Sequence, residues 1–108
     1  MMKMLFVFNP NSGKAQIKNQ LMKIIQVFSK AGYEITVYPT KASLDGYQHI
    51  LDSEGRYDVI TCSGGDGTLN ETVAAVLKYK GEKPPIGYIP SGTANDFAAS
   101  LGIPRYMG

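Results

Sequence analysis

The sequence predicts a three-layer α/β/α domain on a parallel sheet of about four strands, and three observations carry that prediction. Runs of strand formers alternate with helical periodicity four times along the chain. The strands read as near-continuous apolar runs, as they do when a parallel sheet is covered on both faces. Every glycine-rich loop follows the carboxyl end of a strand, where ligands of open α/β sheets bind.

The elements follow in order. Met4 to Phe8 is an uninterrupted apolar strand, and after a turn at Asn9 to Lys14 the residues Ile17, Leu21, Ile24, Ile25 and Phe28 keep helical spacing up to a stop at Gly32. Tyr33 to Tyr38 is rich in β-branched and aromatic residues, and Pro39-Thr40 ends it. A shorter helix with Leu44, Tyr47, Ile50 and Leu51 closes near Gly55. Tyr57 to Cys62 reads as a largely buried strand, and the following helix is expected to bury Leu69, Val73, Val76 and Leu77 on one face. Lys78 to Pro85 looks like an exposed connection to a last strand, Ile86 to Ile89. Pro90-Ser-Gly-Thr93 then leads to a short helix around Asn95 to Leu101. If the loops after the first, third and fourth strands share a ligand, those strands are neighbours, and the expected order is 2-1-3-4.

With 108 residues, 44% of them hydrophobic, the chain is expected to form one domain. The net charge is +2 and the lysines are scattered without an arginine cluster, so nucleic acid is not an expected partner. The single cysteine, Cys62, excludes an internal disulfide and a cysteine-rich metal site, and its apolar strand implies a buried thiol. No apolar run approaches about 18 residues, and Met1 to Phe8 is too short for a signal peptide.

The densest glycine cluster, Ser63-Gly-Gly-Asp-Gly-Thr-Leu-Asn-Glu71, lies at a strand-to-helix turn. There Gly64, Gly65 and Gly67 can take positive φ, and backbone N–H groups can approach an anion with the helix N-terminus behind them. Thr68 and Glu71 have capping-box spacing. Taken alone, such a loop is as readily a plain tight turn. Asp66 favours a ligand: a carboxylate among phosphate-facing amides is useful if the phosphate arrives with Mg²⁺ or if a hydroxyl must lose a proton.

Familiar nucleotide motifs do not fit. Gly65-Asp-Gly-Thr-Leu-Asn70 puts asparagine at the third glycine of the dinucleotide fingerprint and follows the third strand, not the first. Gly13-Lys14 is followed by Ala15, which lacks the hydroxyl of a Walker motif.

Three loops taken together are recognisable: Asn9-Pro-Asn-Ser-Gly13, Gly64-Gly-Asp-Gly-Thr-Leu-Asn70 and Pro90-Ser-Gly-Thr-Ala-Asn-Asp-Phe97. From about Met4 to Ile103 the chain resembles the catalytic-domain family of diacylglycerol kinases and related lipid kinases, including sphingosine-type and bacterial multi-lipid kinases. The middle motif is shared with NAD kinases, whereas the last is characteristic of the lipid kinases. The resemblance implies an ATP site in which Asn9, Pro10, Asn11, Ser12 and Gly13 form the first loop. It implies that Gly64, Gly65, Asp66, Gly67, Thr68, Leu69 and Asn70 cradle the phosphates, completed by Thr40 and Thr93. Hydroxyls at Ser12, Thr40, Thr68 and Thr93 can donate to phosphate or ribose oxygens, although each alone suits a turn or cap equally well. Asp66 is the expected catalytic residue, aligning Mg²⁺–ATP as a metal contact or helping to activate the acceptor hydroxyl.

The implied activity is ATP-dependent phosphorylation of a lipid hydroxyl, diacylglycerol to phosphatidic acid in phospholipid synthesis, with ATP and Mg²⁺ as cofactors. The implied setting is cytoplasmic, with peripheral contact to the membrane that holds the lipid. The family's β-rich second domain, which lines the cleft, is absent from residues 1–108, so the chain is expected to supply the nucleotide-binding half and to turn over poorly alone. The alternatives are a nucleotide-binding module without transfer, a folded fragment that pairs with its missing domain or forms a homodimer, and an NAD kinase relative.

Overall fold

A computed structural model of the chain describes residues 2–10 and 16–90, the side chains of 16–19 and 90 aside. The elements are β1 (Met2–Phe8), α1 (Gln16–Lys30), β2 (Tyr33–Pro39), α2 (Asp45–Asp52), β3 (Val59–Gly64), α3 (Asp66–Leu77) and β4 (Ile86–Pro90). The strands form a four-stranded sheet in the order β2-β1-β3-β4, as expected, and every pairing is parallel. The expected last helix, Asn95 to Leu101, lies outside the described residues.

Residue alternation along β1 divides the core into two layers. Met4, Phe6 and Phe8 pack with Ile24 and Phe28 of α1, with Val59 of β3 and with Ile89 of β4 beyond it. Leu5 and Val7 point the other way, against Ile50 of α2, Ala75 and Val76 of α3, and Ile60 and Cys62 of β3. From Met4 to Phe8 both faces of β1 are therefore dry, which explains the unbroken apolar run there, whereas Met2 and Lys3 before it are exposed. Phe6 and Phe8 stack with ring centroids 5.7 Å apart, and Phe28 meets Tyr33 edge to face at 5.9 Å. The edge strand β2 instead alternates half-buried and exposed residues through most of its length. After α1, Gly32 takes φ 99, the left-handed conformation that glycine adopts at least cost, and its N–H returns to the Ser29 carbonyl at 3.1 Å.

Four local expectations need correction. First, β3 begins at Val59 and extends through Gly64, because Ser63 pairs with Phe8 and Gly64 with Pro90. Tyr57 and Asp58 precede it, and Asp58 instead ties down the start of β1, accepting the Lys3 N–H at 2.7 Å and returning its own N–H to the Lys3 carbonyl at 2.7 Å.

Second, only Gly64 of the three glycines takes positive φ, at 151. Gly65 is the extended N-cap, at φ −87 and ψ −169, and Gly67 already lies inside α3. Third, the Thr68–Glu71 capping box does not form, since the helix starts at Asp66 and puts Thr68 in its first turn. Fourth, α3 buries Thr72, Ala75 and Val76, whereas Leu77 is 65% exposed. At about 3.6 residues per turn, the stripe through Thr72 and Val76 continues to Tyr79 and leaves Leu77 to one side. Tyr79 is thus a buried anchor within a connection that is exposed from Lys80 to Lys83, its hydroxyl donating to the Ile50 carbonyl at 2.5 Å.

Candidate functional site

Parallel pairing brings the carboxyl ends of the strands to one level. Phe8, the last residue of β1, pairs with Pro39 on one side and Ser63 on the other. Backbone bonds carry the alignment into the loops: the Asn9 N–H donates to the Ser63 carbonyl at 3.3 Å, and the Thr40 N–H to the Phe8 carbonyl at 2.8 Å. Strand order reverses between β1 and β3, the usual place for a ligand in such a sheet.

A cleft of about 390 Å³ opens there, lined by Asn9, Thr40, Lys41, Ala42, Ser43, Gly67, Thr68 and Glu71. Four of the residues expected from the sequence, Asn9, Thr40, Gly67 and Thr68, are brought together in it. Gly64 is buried beneath the turn, and Gly65 and Asp66 are exposed beside the cleft without lining it. Leu69 packs against the core and Asn70 is exposed on α3. Pro10 follows Asn9 in the turn after β1. Asn11, Ser12, Gly13 and Thr93 lie outside the described residues. A second hollow of about 470 Å³ sits at the opposite end of the strands, lined by Lys3, Glu34 and Arg56 among others. No residue expected to bind a ligand lies there.

One wall of the cleft is the N-terminal turn of α3. The first helical bond that reaches back to the cap runs from the Leu69 N–H to the Gly65 carbonyl at 3.3 Å. The preceding amides of Asp66, Gly67 and Thr68 have no carbonyl one turn earlier within the helix, and Gly65 offers no side-chain cap. Such an end carries roughly half a positive charge. Gly64 makes the approach possible: a Cβ there would stand 2.7 Å from Thr68 Oγ1. The Tyr88 hydroxyl donates to the Gly64 carbonyl at 2.8 Å and holds the turn from below.

The opposite wall is the loop from Thr40 to Leu44, which two carboxylates secure. Asp45 accepts the Lys41 N–H at 2.8 Å through Oδ2 and the Tyr38 hydroxyl at 2.7 Å through Oδ1. The bond from Tyr38, with that from Lys41, holds the Asp45 carboxyl below its ordinary range, and the same bond raises the Tyr38 hydroxyl. The Tyr38 ring stacks on His49 at 3.7 Å with the planes 4° apart. Glu71 Oε2 accepts the Leu44 N–H at 3.1 Å, from one wall to the other.

Lys41, Ala42 and Ser43 were not recognised from the sequence. Lys41 resembled any surface lysine, and only the Asp45 bond to its backbone places it at the cleft. Among the described residues no cluster of three metal-ligating side chains occurs. Mg²⁺ commonly binds through one or two carboxylates plus substrate phosphates, so the exposed Asp66 suits a metal that arrives with a nucleotide better than a resident ion. No described helix is long and apolar enough to cross a membrane.

These features define a parallel α/β domain with a cleft at its switch point, walled by an uncapped helix N-terminus. The chain belongs to the diacylglycerol kinase catalytic domain family, whose model matches residues 3–108. It is 40% identical over 100 residues to a diacylglycerol kinase of Bacillus subtilis (strain 168), covering 92% of this chain and 33% of the relative. It is 41% identical over 103 residues to a diacylglycerol kinase of Staphylococcus aureus (strain bovine RF122 / ET3-1), covering 92% of this chain and 31% of the relative. The crystal structure of a diacylglycerol kinase from Bacillus anthracis str. Sterne superimposes with a TM-score of 0.75 at 29% identity, covering 98% of this chain and 39% of that one. The chain thus spans about a third of the length of the relatives it matches.

Proposed function

We propose that the chain is the nucleotide-binding part of an ATP-dependent lipid kinase that phosphorylates a lipid hydroxyl, diacylglycerol to phosphatidic acid. The observation that carries this reading is the convergence of Asn9, Thr40, Gly67 and Thr68 on one cleft at the N-terminus of α3, in a member of this kinase family. In the reaction the acceptor oxygen attacks the γ-phosphorus while the bond to the ADP oxygen breaks and the hydroxyl proton leaves to a base.

For such a transfer the protein contributes mainly position and charge compensation. The amides of Asp66, Gly67 and Thr68 would hold phosphate oxygens, the hydroxyls of Thr40 and Thr68 would donate to phosphate or ribose, and Asn9 would anchor the first loop. Ser12, Gly13 and Thr93 are assigned to the same site from their motifs. Asp66 would hold Mg²⁺ together with the phosphates or receive the acceptor proton. Bound Mg²⁺ supplies neutralisation of the phosphate charge. The acceptor's pocket is assigned to the remaining two-thirds of the relatives' length, and lipid at a membrane surface is the corresponding partner.

The test is a Mg²⁺–ATP titration followed by backbone amide NMR. Shifts at Asn9, Thr40, Gly67 and Thr68 are expected, with weak affinity. A folded spectrum that does not respond at about millimolar ATP, the weak end of the ordinary affinity scale, would defeat the assignment of a preformed site. Lipid phosphate production is expected to be negligible for the chain alone. Measurable product abolished in Asp66→Ala would instead make this chain sufficient for transfer.

A further inference from the structure

Leu44 is the one described residue other than glycine with positive φ, at 68, and its side chain is 60% exposed. A leucine in the left-handed region costs about 1–2 kcal/mol, and an exposed leucine gains no burial to compensate. Something outside the residue must hold it there. The Glu71 carboxylate, in the second turn of α3, accepts the Leu44 N–H at 3.1 Å across 27 positions of sequence.

The packing leaves this bond little freedom. Gly46, in the first turn of α2, lies so close that a Cβ there would stand 3.2 Å from Thr40 Cγ2, 3.4 Å from Val7 Cγ1 and 3.6 Å from Glu71 Oε1. Thr40, Gly46 and Glu71 therefore meet at one point beneath the cleft. Behind them Asp45 fixes the Lys41 N–H and the Tyr38 hydroxyl. The wall that carries Thr40 and Lys41 is thus tied to α3 through Glu71 and to α2 through Asp45.

We infer that Glu71 is a positioning residue: its carboxylate clasps the loop before α2 to α3, holds Leu44 in its left-handed conformation and sets the width of the cleft. It acts on the nucleotide through Thr40 and Lys41 and does not itself touch phosphate or metal. This inference rests on the reading of the cleft as a nucleotide site. If a released loop samples other arrangements, the apparent affinity falls with the fraction that remains binding-competent.

Three variants separate this role from direct contact. Glu71→Ala removes the acceptor, Glu71→Gln keeps an oxygen for the Leu44 N–H but removes the charge, and Leu44→Gly relaxes the backbone while leaving Glu71 in place. Two readouts are taken on each: Mg²⁺–ATP affinity, and hydrogen exchange of the residue 44 amide without ligand. Glu71→Ala is expected to weaken binding about tenfold and to unprotect the amide, while Glu71→Gln stays within about threefold of the parent and keeps protection. Leu44→Gly is expected to bind as the parent does. If Glu71→Gln loses as much affinity as Glu71→Ala, the charge is needed and the positioning role is refuted. An unchanged amide in Glu71→Ala refutes the clasp even if the parent binds no nucleotide, an outcome that by itself would overturn only the nucleotide reading.

Discussion

Gly64→Ala probes the turn on which the cleft depends. At φ 151 the backbone lies in a region that is nearly the preserve of glycine, and an alanine there carries strain of about 1–3 kcal/mol. The new Cβ also meets Thr68, at 2.7 Å from Oγ1 and 3.1 Å from Cβ. Rotating the threonine about χ1 exchanges Oγ1 for Cγ2 or hydrogen but cannot move its Cβ, so the crowding persists unless the backbone shifts. Overpacking of this kind adds about 1–3 kcal/mol. The combined loss is on the order of 2–6 kcal/mol, against a total stability of about 5–15 kcal/mol for a domain of this size. The midpoint of thermal unfolding should fall by roughly 10–30 °C.

Urea unfolding followed by far-ultraviolet circular dichroism, with the seven tyrosines as a second probe, measures the change. Thr68→Ala should recover about 1 kcal/mol in the Gly64→Ala background by removing Oγ1 and Cγ2 from the collision, leaving the φ strain and the 3.1 Å contact with the residue 68 Cβ in place. A Gly64→Ala variant within about 0.5 kcal/mol of the parent, or a cycle additive to the same margin, would refute the steric account.

Two further predictions concern buried groups. Burial pushes the Tyr79 hydroxyl up to about 12 from an ordinary 10.0, so the folded chain retains a proton that the unfolded chain releases earlier. The associated stability is full below pH 10.0 and is lost as pH rises toward about 12. Tyr79→Phe should be about 1 kcal/mol less stable at pH 8, through loss of the bond to the Ile50 carbonyl, and should show a shallower alkaline decline in urea titrations. An equally steep decline would discount Tyr79 as its source. Cys62 is buried, and desolvation raises its thiol to about 11 despite an opposing hydrogen bond with Thr72. Reaction with a disulfide reagent should therefore be slow in the native chain and fast in urea, and rapid native labelling would contradict its burial.

The sheet was legible in the sequence because its signals are local. Met4 to Phe8 had to be doubly buried, Gly32 had to end a helix, and the condition that three loops share a ligand pointed to an order with β1, β3 and β4 side by side, which the sheet has. The misreadings arose where a local pattern competed with a distant contact. Thr68 and Glu71 have the spacing of a capping box, but the actual partner of Glu71 is an amide 27 residues earlier, and no periodicity reports it. Leu77 looked like core because it is apolar, whereas helix phase gives the buried stripe to Thr72, Val76 and Tyr79, two of which carry polar atoms. Lys41 acquired its place from the Asp45 bond to its backbone, which sequence spacing alone does not reveal.

The same division governs how substitutions should act. The level at which the walls begin is inherited from the sheet, since Phe8 pairs with both Pro39 and Ser63 and the first amides after β1 and β2 donate to strand carbonyls. Changes to these strands should appear first as lost stability, because a shift of register would turn buried side chains toward the wrong face. The separation of the walls is set instead by two carboxylates, Asp45 and Glu71, that bond exposed amides and contribute little to the core. Removing either should alter ligand affinity with a comparatively small change in unfolding midpoint. Affinity and stability should therefore separate along the boundary between strand and loop, and a variant that loses affinity with its stability intact points to the carboxylate clasps.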